Sequence, residues 1–400
     1  MTRTLFAGAR VVDGTGAPPA IADITVEDGR IVEIGAGLDA DERVDLAGKA
    51  VLPGLFDCHT HVMVSTIDLT RNLQTPFSYR FYQAMENLAA TLRIGITTVR
   101  DAGGADLGVK QAVEDGIIRG PRMQISLGML SQTGGHGDPW MASGEVVHFL
   151  TAHPGVPDTL VDGVDEMRHA VRQLIRMGAD VIKVAVSGGV LSPRDKPTHA
   201  HFRAAELEAL VEEATAAGIW VMAHAQAAPG IKNAIRAGIR SIDHGIYLDD
   251  EAIELMLTHG TWLVPTLVAP RGVIDAAEAG AAIPEASVAK AREVVETHRA
   301  SFAKAVSAGV KVAMGTDSGV TPHGENLREL ELMVEGGMTP MQAIEATTRS
   351  AAELMGLDGD LGTLEPGKRA DLVVVDGDPL EVGMLAARVE AVYQDGLRVV

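Results

Sequence analysis

Six side chains in this sequence are of types that hold metal ions or carry protons, and each falls within or at the end of an apolar run. They are His59 and His61 in LFDCHTHVMV, Lys183 in VIKVAVSG, His224 in WVMAHA, His244 in SIDHG and Asp317 in VAMGTDSG. Imidazole nitrogens and carboxylate oxygens suit zinc and similar divalent ions. His59 and His61 are two residues apart, so on a strand they share a face. Taken singly, each residue has a plainer account. The paired histidines could be hydrogen-bonded near a core, His224 and His244 could be satisfied core histidines, Lys183 could snorkel to the surface, and Asp317 could cap a helix. Jointly they point to one site, because the C-terminal ends of parallel strands are where barrel enzymes assemble their chemistry.

The elements that must position them can be read from texture. From residue 54 to 358, apolar strands, polar loops and amphipathic helices alternate, the pattern of parallel βα units. Candidate strands are 55–64, 95–101, 123–129, 181–188, 220–225, 241–245, 262–266 and 312–319, eight of them, as a closed barrel requires. AELEALVEEATAAG, 205–218, has apolar positions at helical spacing and ends at glycine, and residues 277–309 predict one longer helical stretch. Residues 1–53 and 359–400 differ. They read as short alternating strands with hairpin turns such as EDGR and LAGK, which suggests one small sheet module built from both ends of the chain. The expected fold is α/β: a distorted (β/α)8 TIM barrel with a small β-sandwich domain built from both chain termini.

Composition narrows the partners. Of 400 residues, 46% are hydrophobic and 22% charged, enough apolar mass for a barrel core and a smaller module. A formal net charge of −20 argues against nucleic acid and anionic membranes, which need a basic surface. The single cysteine, Cys58, leaves no intramolecular disulfide and no CxxC zinc site, and points to a cytoplasmic location. No apolar run reaches 18 residues, and the N-terminal stretch lacks the long apolar region of a secretory signal.

The order HxH, Lys, His, His, Asp resembles the metal-dependent amidohydrolase superfamily, in the binuclear subtype with a carboxylated lysine. VLPGLFDCHTHV is similar to the family's opening signature and LEPGKRADLVVVD to its closing one. SGGVLSPRDKP, HGIYLDD and GTDSGVTPHGENLREL resemble the branch of prolidase-like and Xaa-Arg dipeptidases, near the ochratoxin-hydrolysing amidases. The resemblance covers essentially the whole chain. It implies two divalent metal ions, zinc foremost: His59, His61 and Asp317 on one, His224 and His244 on the other, and Lys183 as a bridging carbamate. An unmodified ammonium between two dications would be repelled, whereas a carbamate, Asp317 and a hydroxide bring about −3 against about +4. It further implies attack by a metal-bridging hydroxide on a linear amide, a dipeptide or N-acyl amino acid with a free carboxylate, with Asp317 also serving as general acid/base. A homo-oligomer is implied as well. The alternatives are a cyclic amidohydrolase or lactonase, or a deaminase of the same superfamily; Lys183 speaks against a one-metal deaminase, which needs no bridge. A non-catalytic scaffold is disfavoured by the complete ligand set.

Four further residues offer substrate contacts. His136, in SQTGGHGDPW, could donate to a substrate carbonyl or carboxylate, or could stabilise its loop. Tyr247 could overhang the site and bind a carboxylate, or pack on a helix; Arg194 could do the same, with surface charge as its plainer account, and His323 is a further candidate. His148, His153, His169, His259 and His298 read as surface or loop histidines, and Asp249 and Asp250 as an acidic helix start.

Overall fold

The computed structural model describes residues 2–148, 153–192 and 194–400. Both ends of the chain meet in one eight-stranded sheet. Thr4–Val11 pairs antiparallel with Ala20–Glu27, which turns back into Arg30–Gly35 through Asp28 and Gly29, both at positive φ (49° and 76°). That is the Asp-Gly geometry whose twist matches a hairpin. Lys49–Pro53 then pairs parallel with Thr4–Val11 on one side and antiparallel with Leu372–Asp376 on the other, and Val389–Gln394 and Leu397–Arg398 complete the edge. The terminal strands thus form one hydrogen-bonded sheet, with Phe6, Ile24, Val51, Leu372 and Val374 in its buried cluster.

The centre is built from parallel strands alternating with helices. Leu55–Thr60, Ile96–Asp101 and Arg122–Ile125 make a three-stranded sheet. Met129–Leu130, Val181–Ala185, Trp220–Ala225, Ser241–His244 and Trp262–Val264 make a five-stranded one. Seven of the eight expected strands are therefore present, the third split in two between 125 and 129. The eighth, 312–319, forms no continuous ladder: it bridges Val312 to Leu263 and Ser318 to Thr60, with Cys58 N donating to Met314 O at 2.9 Å between them. Asp317 ends its extended course, since its φ of 64° is left-handed and cannot continue a strand. The expected helix at 205–218 spans Ala204–Ala216 and buries Leu207 and Leu210, each stabilising by about 1.5–3 kcal/mol. The single stretch expected at 277–309 is instead two helices, Val268–Glu278 and Glu285–Ala308, because Gly280 (φ 91°) and Pro284 interrupt it. Among the described residues no helix is long and apolar enough to cross a membrane.

Arg122, on a central strand, pairs with Asp371 and, at 2.6 Å, with Asp395, and so ties the centre to the terminal sheet.

Candidate metal centre

Because the central strands are parallel, their C-terminal ends face one side, and all six candidate ligands line a single cavity of about 300 Å³ there. Asp317 Oδ1 lies 3.5 Å from His59 Nε2 and 3.1 Å from His61 Nε2. Ligand atoms of His59, His244 and Asp317 fall within 4.8 Å of one another, and the His59–His244 and His244–His224 ring centroids are 5.1 and 4.6 Å apart.

Each ring is turned by a partner behind it. His61 Nδ1 donates to Gly103 O at 2.9 Å, leaving Nε2 toward Asp317, and His244 Nδ1 meets Thr266 Oγ1 at 2.7 Å. His224 Nε2 donates to Gly188 O at 3.2 Å, leaving Nδ1 as its lone-pair nitrogen. Ligating histidines are commonly held this way. His59 Nδ1 is 2.8 Å from Asp243 Oδ2 but has no aligned hydrogen bond, so the contact lies off the ring N–H axis. His244 and Asp317 both sit at positive φ, 74° and 64°, a conformation non-glycine residues hold only when their surroundings impose it.

Charges are paired in a buried interior. Lys183, 1% exposed, donates from Nζ to Asp243 Oδ2 at 2.9 Å, and Arg100 Nη2 reaches Asp243 Oδ1 at 3.4 Å. Burial pulls the Lys183 ammonium below its ordinary value against the pull of Asp243. Burial alone would raise Asp243, yet Lys183, Arg100 and His59 hold its carboxyl well below the usual range. Asp317 behaves likewise: burial raises it, and the His59 and His61 imidazoles outweigh that and keep it ionised. Burial holds His224 and His244 well below the ordinary imidazole value, hence neutral, the form that ligates a metal. Four imidazoles and an ionised carboxylate around one cavity make a donor set that fits a divalent ion, with the Lys183 side chain beside them.

Asp57 was not among the expected site residues, yet it fixes the geometry. Oδ1 accepts from His59 N at 3.0 Å and Thr316 N at 3.2 Å, and Oδ2 accepts from Thr316 Oγ1 at 2.6 Å and Asn326 Nδ2 at 2.8 Å. One buried carboxylate thus sets the distance between the HxH strand and Asp317. Gly319, φ 116°, allows the close approach, since a Cβ there would stand 3.0 Å from His61 Cβ. Asp57 and Asp243 share a readable signal: an acid inside an apolar strand, one or two residues before a candidate ligand.

His136 lines the cavity with its ring stacked on His224, centroids 4.2 Å apart at 16°. The other expected substrate residues are not brought into the cavity lining. Tyr247 packs against the apolar cluster of Ile67, Val190, Ile246 and Val273, residues that form the cavity wall. Arg194 is exposed and stacks on Trp140, 4.5 Å from the ring centroid. His323 Nε2 donates to Val64 O at 3.0 Å. His298 corrects the reading of a surface or loop histidine: it is 2% exposed, lines the cavity, and donates from Nε2 to His244 O at 2.8 Å. His148 also lines the cavity and His153 is half-buried against Phe77 and Phe81, whereas His169 and His259 are exposed. Asp249 caps its helix by accepting from Ala252 N. The rest of the wall is mostly apolar, including Val64, Met129, Met141, Leu191 and Ile283, and among the described residues Lys183 is the one lysine or arginine in the lining.

Comparison with known proteins agrees over nearly the full length. Residues 50–397 match the model described as the amidohydrolase family. Ochratoxinase of Aspergillus niger is 36% identical over 399 residues, covering 94% of this chain and 82% of that protein. Among solved structures, a Xaa-Pro dipeptidase with methionine bound in its active site superposes with a TM-score of 0.90 at 34% identity, covering 99% of each chain. A prolidase complexed with N-methylphosphonate-L-proline gives 0.92 at 38% identity, covering 100% of this chain and 99% of that one.

Proposed function

Because the chain belongs to the amidohydrolase family, we propose that it is a metal-dependent hydrolase that cleaves the C–N bond of a linear amide, a dipeptide or an N-acyl amino acid with a free carboxylate. The observation that carries this reading is the convergence of His59, His61, Lys183, His224, His244 and Asp317 on one cavity. In this reading the two parallel sheets and the bridged segment 312–318 make up one distorted (β/α)8 barrel, residues 54–358. A β-sandwich from 1–53 and 359–400 flanks it, in a cytoplasmic homo-oligomer.

His59, His61 and Asp317 would hold one divalent ion and His224 and His244 a second, zinc or a similar metal, with carboxylated Lys183 between them. After carboxylation Nζ keeps one N–H, which is all its contact with Asp243 requires, and Arg100 offsets the added negative charge. When bound, such ions lower the pKa of water from roughly 15.7 to about 7 and polarise a carbonyl. Asp317, kept ionised by the facing imidazoles, accepts a proton and returns it to the leaving nitrogen. His136 is assigned to the substrate's carbonyl or carboxylate, with Tyr247, Arg194 and His323 as outer contacts. The mostly apolar wall suits an uncharged side chain. Relatives named as a Xaa-Pro dipeptidase and a prolidase support a linear amide over a cyclic one.

The test is a screen of dipeptides and N-acyl amino acids with apolar residues against metal-loaded protein, read by release of the C-terminal amino acid. Free acids are expected to be cleaved at least about tenfold faster than their methyl esters, as loss of a hydrogen bond to a charged group implies. Equal rates would remove carboxylate recognition, and turnover of lactams or lactones alone would put the cyclic reading first.

A further inference from the structure

We propose that Lys290 is a positioning residue whose ammonium fixes the loop after the Lys183 strand and, through Asp195, the ring of His136 over His224. The inference draws on the hydrolase reading only for its kinetic arm. Lys290 lies on the helix Glu285–Ala308, yet among the described residues every acceptor of its Nζ belongs to the loop that follows Val181–Ala185. They are Gly189 O at 3.1 Å, Ser192 O and Asp195 O at 2.6 Å each, and Asp195 Oδ1 at 3.3 Å. An ammonium has three N–H donors, so these four acceptors use all of its capacity. Ordering a lysine also gives up much side-chain freedom, which makes so complete a set of partners a built feature.

Asp195 passes the constraint on. Its other oxygen, Oδ2, accepts from Gly189 N at 3.1 Å and stands 3.5 Å from His136 Nδ1, which also meets Ser192 Oγ. The same loop lies so close to His136 that a Cβ at Gly189 would stand 2.3 Å from His136 Cε1. The helix itself does not depend on Lys290. His298 and Ser301 tie it to His244 O and Ile246 O, each at 2.8 Å, and Ala291, Val294 and Phe302 bury its inner face. Lys290 therefore draws the loop to a fixed support, and its loss frees the loop and leaves the helix in place.

Lys290→Cys provides the test, because Cys58 is fully buried, its thiol pushed up to about 12 by burial, and so stays inert. The new thiolate displaces bromide from 2-bromoethylamine and regenerates an ammonium on a side chain of nearly lysine length. In the unalkylated variant, hydrogen exchange should rise across 187–200 and around His136 and stay at the wild-type level across 285–308. KM should rise roughly ten- to a hundredfold with kcat changed far less and metal content unaltered, and alkylation should reverse all of this. Lys290→Gln should show intermediate exchange, and it decides the matter if the cysteine variant does not fold. Wild-type exchange across 187–200 in either variant overturns the proposal. So does a loss that alkylation fails to restore in protein of wild-type Tm. If the wild type cleaves no amide, the hydrolase reading fails while the exchange measurement still judges Lys290.

Discussion

The two sides of the cavity are built by different means. On the side of the HxH strand, Asp57 receives four hydrogen bonds, three of them from His59 and from Thr316 beside Asp317, so the ligand geometry is set by one buried carboxylate that joins the HxH strand to the segment carrying Asp317. On the opposite side, His136 is held by Ser192 and Asp195, with the Lys290 ammonium binding that loop from a third segment. A buried polar hub cannot lose its partner without leaving donors unsatisfied, whereas a loop tied by part-buried contacts to one ammonium can relax. The first side should therefore fail through stability and chemistry, and the second through binding.

The largest effect is expected at the reacting group. Asp317→Asn should lower kcat by roughly 10²- to 10⁴-fold or more with the fold intact, since an amide cannot accept the proton. Near-normal turnover in a metal-replete variant would remove Asp317 from that role. Asp57→Ala tests the hub: four donors lose their acceptor, and denaturant unfolding should show a loss of about 3–5 kcal/mol. A loss below about 1 kcal/mol would mean the two sides are held alike and the contrast is wrong. Gly189→Ala probes the loop with the smallest effect. Its methyl pushes the His136 ring off His224, and KM should rise about tenfold while stability changes by less than about 1 kcal/mol. A large drop in Tm without a change in KM would place Gly189 in the structural class instead.

The strand ends were legible because each ligand interrupts an apolar run, and interruption at a strand end is a local signal. Seven central strands and the helix at Ala204–Ala216 follow from periodicity for the same reason. The eighth strand was over-read: VAMGTDSG has strand composition, but nothing local says that Asp317 adopts φ 64° to aim its carboxylate at His61. His298 was misread because its neighbours on Glu285–Ala308 look like an ordinary amphipathic helix, and its bond to His244 O exists only once that helix packs on a strand more than fifty residues away. Tyr247 packs against the cluster around Ile246, a contact that proximity in sequence to His244 does not reveal.

The terminal sheet has a consequence for how the chain is made. Lys49–Pro53 lies between Thr4–Val11 and Leu372–Asp376, so a central neighbour in that sheet is about 320 residues downstream. At ribosomal rates of roughly 5–20 residues per second, the early strands wait some 15–65 seconds for it, with an unpaired edge exposed all the while. Nascent chains stalled within the central strands should therefore be preferred clients of chaperones that shield β edges, and release of the last thirty residues should end that dependence.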